Sequence, residues 1–474
     1  MPSEHPPSAS KPTVLIVGAG IAGLTLGILL EKAGVPYEIY DRMTEVKPLG
    51  FALSLMANVA PLFKQIGIYD EFISLGKVSS TIDHYDKDRK FKYSLDFSGG
   101  AKMGGFPGYI ISRSVFYDLL YRQIPPNKLF LGKRVMSVKQ SLQNGVQIQF
   151  ADKTIAEGDI LVGADGAYSA VRQSLYDSLK SEGQLPASDD GALPFTCVCL
   201  VGQTKPMDPE KYPELADPKC HFRSVTEADK PYAWGYMTTK GNVFCWAVTQ
   251  YLDSESSKSH DNFRNSEWGP EAANVMCQEV QDLPVPGGKS NNMTIGDLID
   301  NTPFVSKVML EEKVFDTWYS GRTVLIGDAC HKIHPASGAG AMNAIQDAVA
   351  LANWISVLDL TAVDEITKAF KEYKAERYPV AKTAFSQGRT LSRVTEKGIA
   401  AKITRYISKN PPAWLWNILI KRMVESRPQV SFLPLVEDKG TVPPKYQPSL
   451  QKTLAIRKTR EAAEVTQTAA ATAL

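Results

Sequence analysis

Val14-Leu15-Ile16-Val17-Gly18-Ala19-Gly20-Ile21-Ala22-Gly23-Leu24 decides the fold. A short apolar run leads into Gly18-x-Gly20-x-x-Gly23, and a helical pattern follows from Leu24 to Ala33. After Gly34 a second apolar run, Tyr37 to Tyr40, ends at Asp41. Strand, tight turn, helix and second strand fit one βαβ unit over Pro12 to Arg42. Gly18 makes the turn, Gly20 lets backbone approach a pyrophosphate, and Gly23 lets the helix pack on the strand. Free N–H groups at the helix start face the phosphates, with the positive end of the dipole behind them. Asp41 is placed to accept hydrogen bonds from adenosine ribose hydroxyls. A glycine-rich turn in an ordinary α/β protein is the alternative, and it has no need of the acid. The motif suits NAD and FAD alike.

Two later stretches also end a strand on an acid. Ile160-Leu161-Val162-Gly163-Ala164-Asp165-Gly166 is a buried strand running into Asp-Gly, with a helix starting near Ser169. Thr323-Val324-Leu325-Ile326-Gly327-Asp328 is another; Pro335 and Gly338-Ala339-Gly340-Ala341 then open a long helix to Leu358. In an open parallel sheet, ligands sit outside the carboxyl ends of the strands. Asp165 could therefore face a bound dinucleotide, and Asp328 a polyol hydroxyl. The helix start at Ala341 offers N–H groups to a group that becomes negative, as a reduced flavin ring does. Gly50 and Ala52 are small enough for backbone to approach a ligand. Arg113, at the entrance of a helix over Ser114 to Gln123, reads as a surface cation or as a donor to a cofactor.

The rest of the chain narrows the class. With 474 residues, 43% hydrophobic and 22% charged, the composition is that of a globular protein with room for two or three packed units. A net charge of +2 gives no reason to expect nucleic acid. The six cysteines are scattered, and Cys197-x-Cys199 has the wrong spacing for a zinc knuckle, so reduced thiols in a cytoplasmic protein are expected. His331 and His334 lie close together, but no carboxylate completes a ligand set, and no metal is expected. Met1 to Lys11 has no signal-peptide core and reads as disordered. No apolar run is long enough to span a bilayer. Residues 414–422, apolar, aromatic and basic-ended, read first as a short docked helix and second as a peripheral contact with an intracellular membrane.

Taken together, Gly18/Gly20/Gly23 with Asp41, Asp165-Gly166 and Gly327-Asp328 resemble, in order and spacing, the class A FAD-dependent monooxygenases, the family of p-hydroxybenzoate hydroxylase. The resemblance covers about Thr13 to Gln387. Around Gly-Asp-Ala-Cys-His-Lys and Ala-Ile-Gln-Asp-Ala the chain looks like fungal salicylate-hydroxylase-like enzymes and terpenoid epoxidases. The resemblance implies FAD as cofactor and NAD(P)H as transient co-substrate. With dioxygen as oxidant, a small aromatic or terpenoid substrate would be hydroxylated or epoxidised through a flavin hydroperoxide. Asp41 would bind the adenosine ribose, Ala52 and Arg113 would contact FAD, and Asp165 would lie near the pyrophosphate and nicotinamide. Asp328 would bond the ribityl chain, and Pro335, Gly338, Gly340 and Ala341 would border the ring. Gly338-Ala339-Gly340 stands where members often carry Gly-Gln-Gly, and Met342 where they often carry Asn. Two alternatives stay open, an oxidase or reductase on the same fold and a non-catalytic FAD-binding protein, the second because of those departures. No catalytic base is read; Arg223 and Tyr236 are candidates for orienting substrate.

The expected architecture is α/β. A Rossmann-type FAD-binding domain is assembled from 12–77, 109–180 and 316–358. A sheet-rich substrate domain is inserted as a hairpin over 78–108 and a unit over 194–315. A C-terminal helical region over 362–436 precedes a disordered tail over 437–474.

Overall fold

The computed structural model describes residues 11–45, 50–141, 145–191, 193–227, 231–252, 270–359, 362–392 and 411–472. The expected disorder of Met1 to Lys11 lies, but for Lys11, outside the described residues.

Val14–Val17 is a strand buried on both faces at the centre of a six-stranded sheet. The sheet order is Tyr319–Ser320, Thr323–Leu325, Ile160–Gly163, Val14–Val17, Tyr37–Tyr40, Leu129–Phe130. All neighbours are parallel except the edge pair Tyr319–Ser320 with Thr323–Leu325. A parallel strand covered on both sides reads as a continuous apolar run, which is how Val14–Val17 and Ile160–Gly163 are written. The register aligns the strand ends: Val17 pairs with Gly163 and with Tyr40, and Gly163 pairs with Leu325. Gly18, Asp41, Asp165 and Asp328 all fall within three residues of those aligned ends, at one edge of one sheet.

Helix Gly340–Ile355 is buried along almost its whole length, including a polar stripe of Asn343, Gln346, Asp347 and Asn353. It runs between helix Ile21–Ala33 and helix Val363–Ser392. A buried polar stripe has to be hydrogen-bonded, and Arg377 on the second neighbour donates to Asn343, Gln346 and Asp347.

The second large sheet has nine strands. Its order is Val305–Glu311, Phe195–Gln203, Val243–Tyr251, Tyr232–Thr239, Lys219–Thr226, Lys77–Tyr85, Tyr109–Ser112, Ala52–Leu55, with Phe91–Asp96 paired to Lys77–Tyr85. The expected hairpin is present, with Asp86 N–H donating to Lys90 O across its turn. Two short strands join a sheet other than the one expected. Ala52–Leu55 and Tyr109–Ser112, assigned from sequence to the FAD-binding domain, pair with each other and extend the substrate-domain sheet. They are four-residue strands whose partners lie far away in sequence, so local pattern could not show which sheet they join.

The tail also differs. Pro448–Thr472 is a helix, not a disordered segment. Its first turns are anchored: Ser449 and Thr453 are buried, Ser449 N–H donates to Glu376 Oε2 at 2.7 Å, and Thr453 Oγ1 donates to Ser431 Oγ at 2.8 Å. Alanine is the strongest helix former. The buried anchors here are hydroxyls, so the composition looked polar and unpatterned.

Candidate cofactor and active site

The glycine loop is built by close backbone packing. Gly18 has φ +108°, and a Cβ there would stand 2.4 Å from Ala164 O. A Cβ on Gly23 would stand 1.9 Å from Gly18 O. Gly20 differs: a Cβ would meet nothing within 4 Å, and its φ of −76° with ψ −175° is open to any residue. The space above Gly20 is therefore left open by the chain, as a pyrophosphate cradle requires. Behind it, helix Ile21–Ala33 carries no acid in its first turn and no side-chain cap, so its N–H groups remain for an anion.

Asp41 is fixed by backbone donors, Ala19 N–H to Oδ2 at 2.7 Å and Met43 N–H to Oδ1 at 2.8 Å. A carboxylate offers about four lone-pair sites, so two remain for ribose hydroxyls. Asp165 lies beside the glycine loop as expected, but its carboxylate faces the N-terminus of helix Ala170–Ser181. It accepts from Ser169 Oγ, from Ala170 N–H at 2.7 Å and from Val171 N–H at 3.3 Å. Burial raises its pKa above the ordinary carboxylate value. Its side chain fixes the strand-to-helix turn, and only its backbone borders the loop.

The Gly327-Asp328 turn is held from several directions. Buried Asp347 accepts from Gly327 N–H at 3.0 Å and shares a 2.6 Å hydrogen bond with His331 Nε2. Arg377 donates to Asp347 Oδ1 at 2.7 Å and to Asn343 Oδ1 at 2.9 Å. Arg172 donates to Ala329 O at 2.7 Å and Tyr373 to Leu325 O at 3.1 Å. Ligand atoms of Cys330, His331 and Asp347 lie within 4.8 Å of one another. Asp347 is, however, taken by a guanidinium and an amide, while burial holds the Cys330 thiol far above its usual pKa. That chemistry is a hydrogen-bond network around a turn, not a ligand set. Neither Arg172 nor Arg377 was singled out from sequence. A buried arginine 30 residues from its acid leaves no local signal.

Asp328 emerges beside Lys332, whose Nζ donates to Oδ2 at 2.6 Å. Burial opposes its charge, but Lys332, His331 and Arg113 together hold the carboxyl below its ordinary value. Arg113 thus belongs to this cluster. It is exposed, its guanidinium has no hydrogen-bond partner among the described residues, and its N–H donates to Phe51 O beside Ala52. The antiparallel pair Ala52↔Ser112 puts Ala52 and Arg113 side by side.

Beyond Asp328, Pro335–Ser337 turns the chain into helix Gly340–Ile355. Cβ atoms on Gly338 and Gly340 would both meet open space, and the helix has no acid in its first turn. The two departures from the family pattern are absorbed locally. Ala339 O accepts from Asn343 Nδ2 at 2.9 Å, and Met342 Sδ accepts from Asn58 Nδ2 at 2.9 Å.

The nine-stranded sheet has two faces, and alternation sorts the candidates between them. Cys197, Cys199, Val201, Leu310, Ala247 and Tyr251 share one face with Phe51. Cys197 Sγ lies 3.2 Å from His334 Nε2, so this face meets the loop before Pro335. Trp234, Tyr236, Phe244 and Trp246 form the core on the other face, with helices Pro270–Val280 and Ile295–Asp300. Tyr236 is fully buried there and donates to Pro286 O at 2.9 Å, and Arg223 donates to the same carbonyl at 3.3 Å. The two sequence candidates for orienting substrate are therefore corrected: both lie on the side turned away from the cofactor edge, Tyr236 in its core and Arg223 half-buried beside it. The residues facing it, Cys197, Cys199 and Val201, looked like ordinary strand interior.

Residues 11–190 and 297–387 match the family described as FAD binding domain. The FAD-dependent monooxygenase paxM of Penicillium paxilli is 27% identical over 413 residues, covering 83% of this chain and 81% of its own. The FAD-dependent monooxygenase ptmM of Penicillium ochrochloron is 29% identical over 397 residues, covering 80% and 88%. Among solved structures, Klebsiella pneumoniae HpxO complexed with FAD and uric acid shares the fold with TM-score 0.64 at 18% identity, covering 87% of this chain and 96% of that one. The 2,6-dihydroxypyridine-3-hydroxylase of Arthrobacter nicotinovorans does so with TM-score 0.62 at 18% identity, covering 82% and 93%.

Proposed function

The chain belongs to the FAD binding domain family and is an FAD-dependent monooxygenase, and from that premise we propose that it inserts one oxygen atom into an apolar aromatic or terpenoid substrate at the expense of NAD(P)H. The observation that carries this is the inner face of the large sheet. Cys197, Cys199, Val201, Leu310, Ala247 and Phe51 form a largely apolar wall whose few polar groups are Tyr251, Thr249 and His334, and it meets the loop before Pro335. Such a wall selects by shape and by water exclusion, with few groups to orient a polar substrate.

The chain's own residues have separable roles. Asp41 holds the adenosine ribose, and the space at Gly20 takes the pyrophosphate. Asp328, kept charged by Lys332, bonds the ribityl chain, and Arg113 supplies a donor beside it. Pro335, Gly338, Gly340 and Ala341 border the ring, where the start of helix Gly340–Ile355 favours negative charge. FAD supplies the redox and oxygen chemistry; the wall keeps water from it. In the net reaction NAD(P)H, a proton, dioxygen and substrate give NAD(P)⁺, water and the oxygenated product.

The test is turnover under isotopically labelled dioxygen, with a panel of apolar aromatic and terpenoid compounds. One labelled oxygen per product molecule is expected; peroxide alone with every compound would refute the reading. A second experiment isolates Arg113. Arg113→Ala removes a donor that no other side chain uses, at about 1.5–3 kcal/mol for a hydrogen bond to a charged group. The Kd for FAD should rise roughly ten- to hundredfold in a fluorescence titration, with the unfolding midpoint of the apoprotein unchanged.

A further inference from the structure

Away from the cofactor edge, helix Ala413–Val424 has two faces of opposite character. Its inner face is docked. Ile420 and Val424 are buried, and they rest on the glycines of helix Gly99–Gly104, where a Cβ on Gly104 would come within 3.0 Å of Val424. Trp416 donates its indole N–H to Asp96 O at 2.7 Å and packs edge-on against Phe97. The outer face is apolar and uncovered among the described residues: Trp414 is 65% exposed, Ile418 39% and Leu419 36%. Trp414 and Ile418 are one turn apart, and exposed Lys421 and Arg422 continue the same stripe.

More positive charge gathers at the basic end. Thr441 N–H donates to Lys102 O at 3.1 Å and Lys445 N–H to Glu425 O at 2.7 Å. The segment between therefore runs along the ends of both helices and brings exposed Lys102, Lys439 and Lys445 beside Lys421 and Arg422. Against these cations stand Glu425, Glu437 and Asp438, and Asp438 is taken by Arg427 at 2.9 Å. A helix with an exposed tryptophan, an aliphatic stripe and a basic rim fits an interface between acyl chains and anionic headgroups. It cannot cross one: no helix among the described residues is long and apolar enough.

We propose that this face docks the enzyme on an anionic lipid surface. Trp414, Ile418 and Leu419 enter the headgroup boundary while Lys421 and Arg422 meet phosphate or carboxylate groups. Val424 of the same helix borders a mixed cavity of about 180 Å³, lined also by Met56, Phe106, Ser79, Ser98 and Lys219. Asn58, two residues beyond Met56, bonds Met342 at the head of the flavin-loop helix. Docking thus sets that cavity one helix away from the acyl chains.

The experiment is sedimentation of the FAD-loaded full chain with vesicles of phosphatidylcholine alone or of phosphatidylcholine with one-quarter phosphatidylserine. The wild type should sediment with the mixed vesicles, and less so as salt rises. Each cation near the surface is worth about fivefold in partitioning, so Lys421→Glu with Arg422→Glu should weaken binding by roughly twenty-five-fold or more. Trp414→Ser with Ile418→Ser should abolish it, while bound FAD and NAD(P)H consumption stay at wild-type levels. Three results would overturn the proposal: no sedimentation of wild type with mixed vesicles, equal sedimentation of the Trp414/Ile418 variant, or a wild-type dimer that the same variant converts to monomer.

Discussion

Gly20→Val is expected to give a folded protein that does not hold FAD. A Cβ at this position meets nothing within 4 Å, and the backbone is already in an extended conformation that valine adopts readily. Nothing in the chain itself requires glycine there. Valine is a poorer N-cap than glycine, so the apoprotein should lose only about 1 kcal/mol in a urea titration. Two methyl groups would nevertheless occupy the pyrophosphate cradle, raising the Kd for FAD by at least about a hundredfold, near 3 kcal/mol. The neighbouring glycine provides the contrast. Gly23→Ala puts a Cβ 1.9 Å from Gly18 O, a contact only a backbone shift can relieve, and it should destabilise the apoprotein by about 1–3 kcal/mol or more. Equal loss of stability in the two variants would mean that the chain, not the ligand, dictates Gly20.

Arg377→Met is expected to be the most destabilising single change to the turn that presents Asp328. Arg377 and Asp347 are 4% and 0% exposed and meet at 2.7 Å. Removing the guanidinium leaves Asp347 as a buried carboxylate with His331 and an amide as its partners, and breaking such a pair costs about 3–5 kcal/mol. That is a large fraction of a typical folding stability. Adding Asp347→Asn should recover part of the loss, because both charges are then gone. The pair also predicts a pH dependence. Burial opposes the Asp347 charge, but His331 and Arg377 outweigh it, so the carboxyl titrates below its ordinary value in the folded chain. A lowered folded-state pKa gives stability that is complete above the unfolded value of about 3.9 and is lost as pH falls through the folded value. The unfolded chain titrates alike in both proteins, and without Arg377 burial raises the Asp347 value, so the gap in stability between wild type and Arg377→Met should narrow as pH falls towards the lowered wild-type value. A gap that is constant from neutral pH into acid would contradict the assignment.

What could be read in the sequence was local. The glycine loop, Asp41, Asp165-Gly166 and Gly327-Asp328 each occupy a few consecutive residues, and the rule that ligands gather at strand ends joined them before any register was known. The parallel pairing of Val17 with Gly163 and Tyr40, and of Gly163 with Leu325, then put them at one edge. What escaped reading was non-local. Alternation says that Cys197 and Val198 point to opposite sides, but not which side meets the cofactor, so it could not show that Tyr236 lies on the side turned away. Asp347 and Arg377 are distant in sequence, so their pairing appears only when helices Gly340–Ile355 and Val363–Ser392 pack. Asp165 was read in the right place, though its carboxylate turned out to cap a helix start. The helix Pro448–Thr472 was missed because its anchors are Ser449 and Thr453, side chains that carry no hydrophobic pattern.

The most direct measurement is rapid mixing of the FAD-loaded, anaerobically reduced enzyme with oxygen while the flavin absorbance is followed, with and without apolar aromatic or terpenoid ligands. An FAD-dependent monooxygenase with this site predicts a transient absorbance that belongs to neither reduced nor oxidised flavin, and that changes lifetime when the right ligand is bound. A single-step return to oxidised flavin with stoichiometric peroxide, whatever ligand is present, would contradict it.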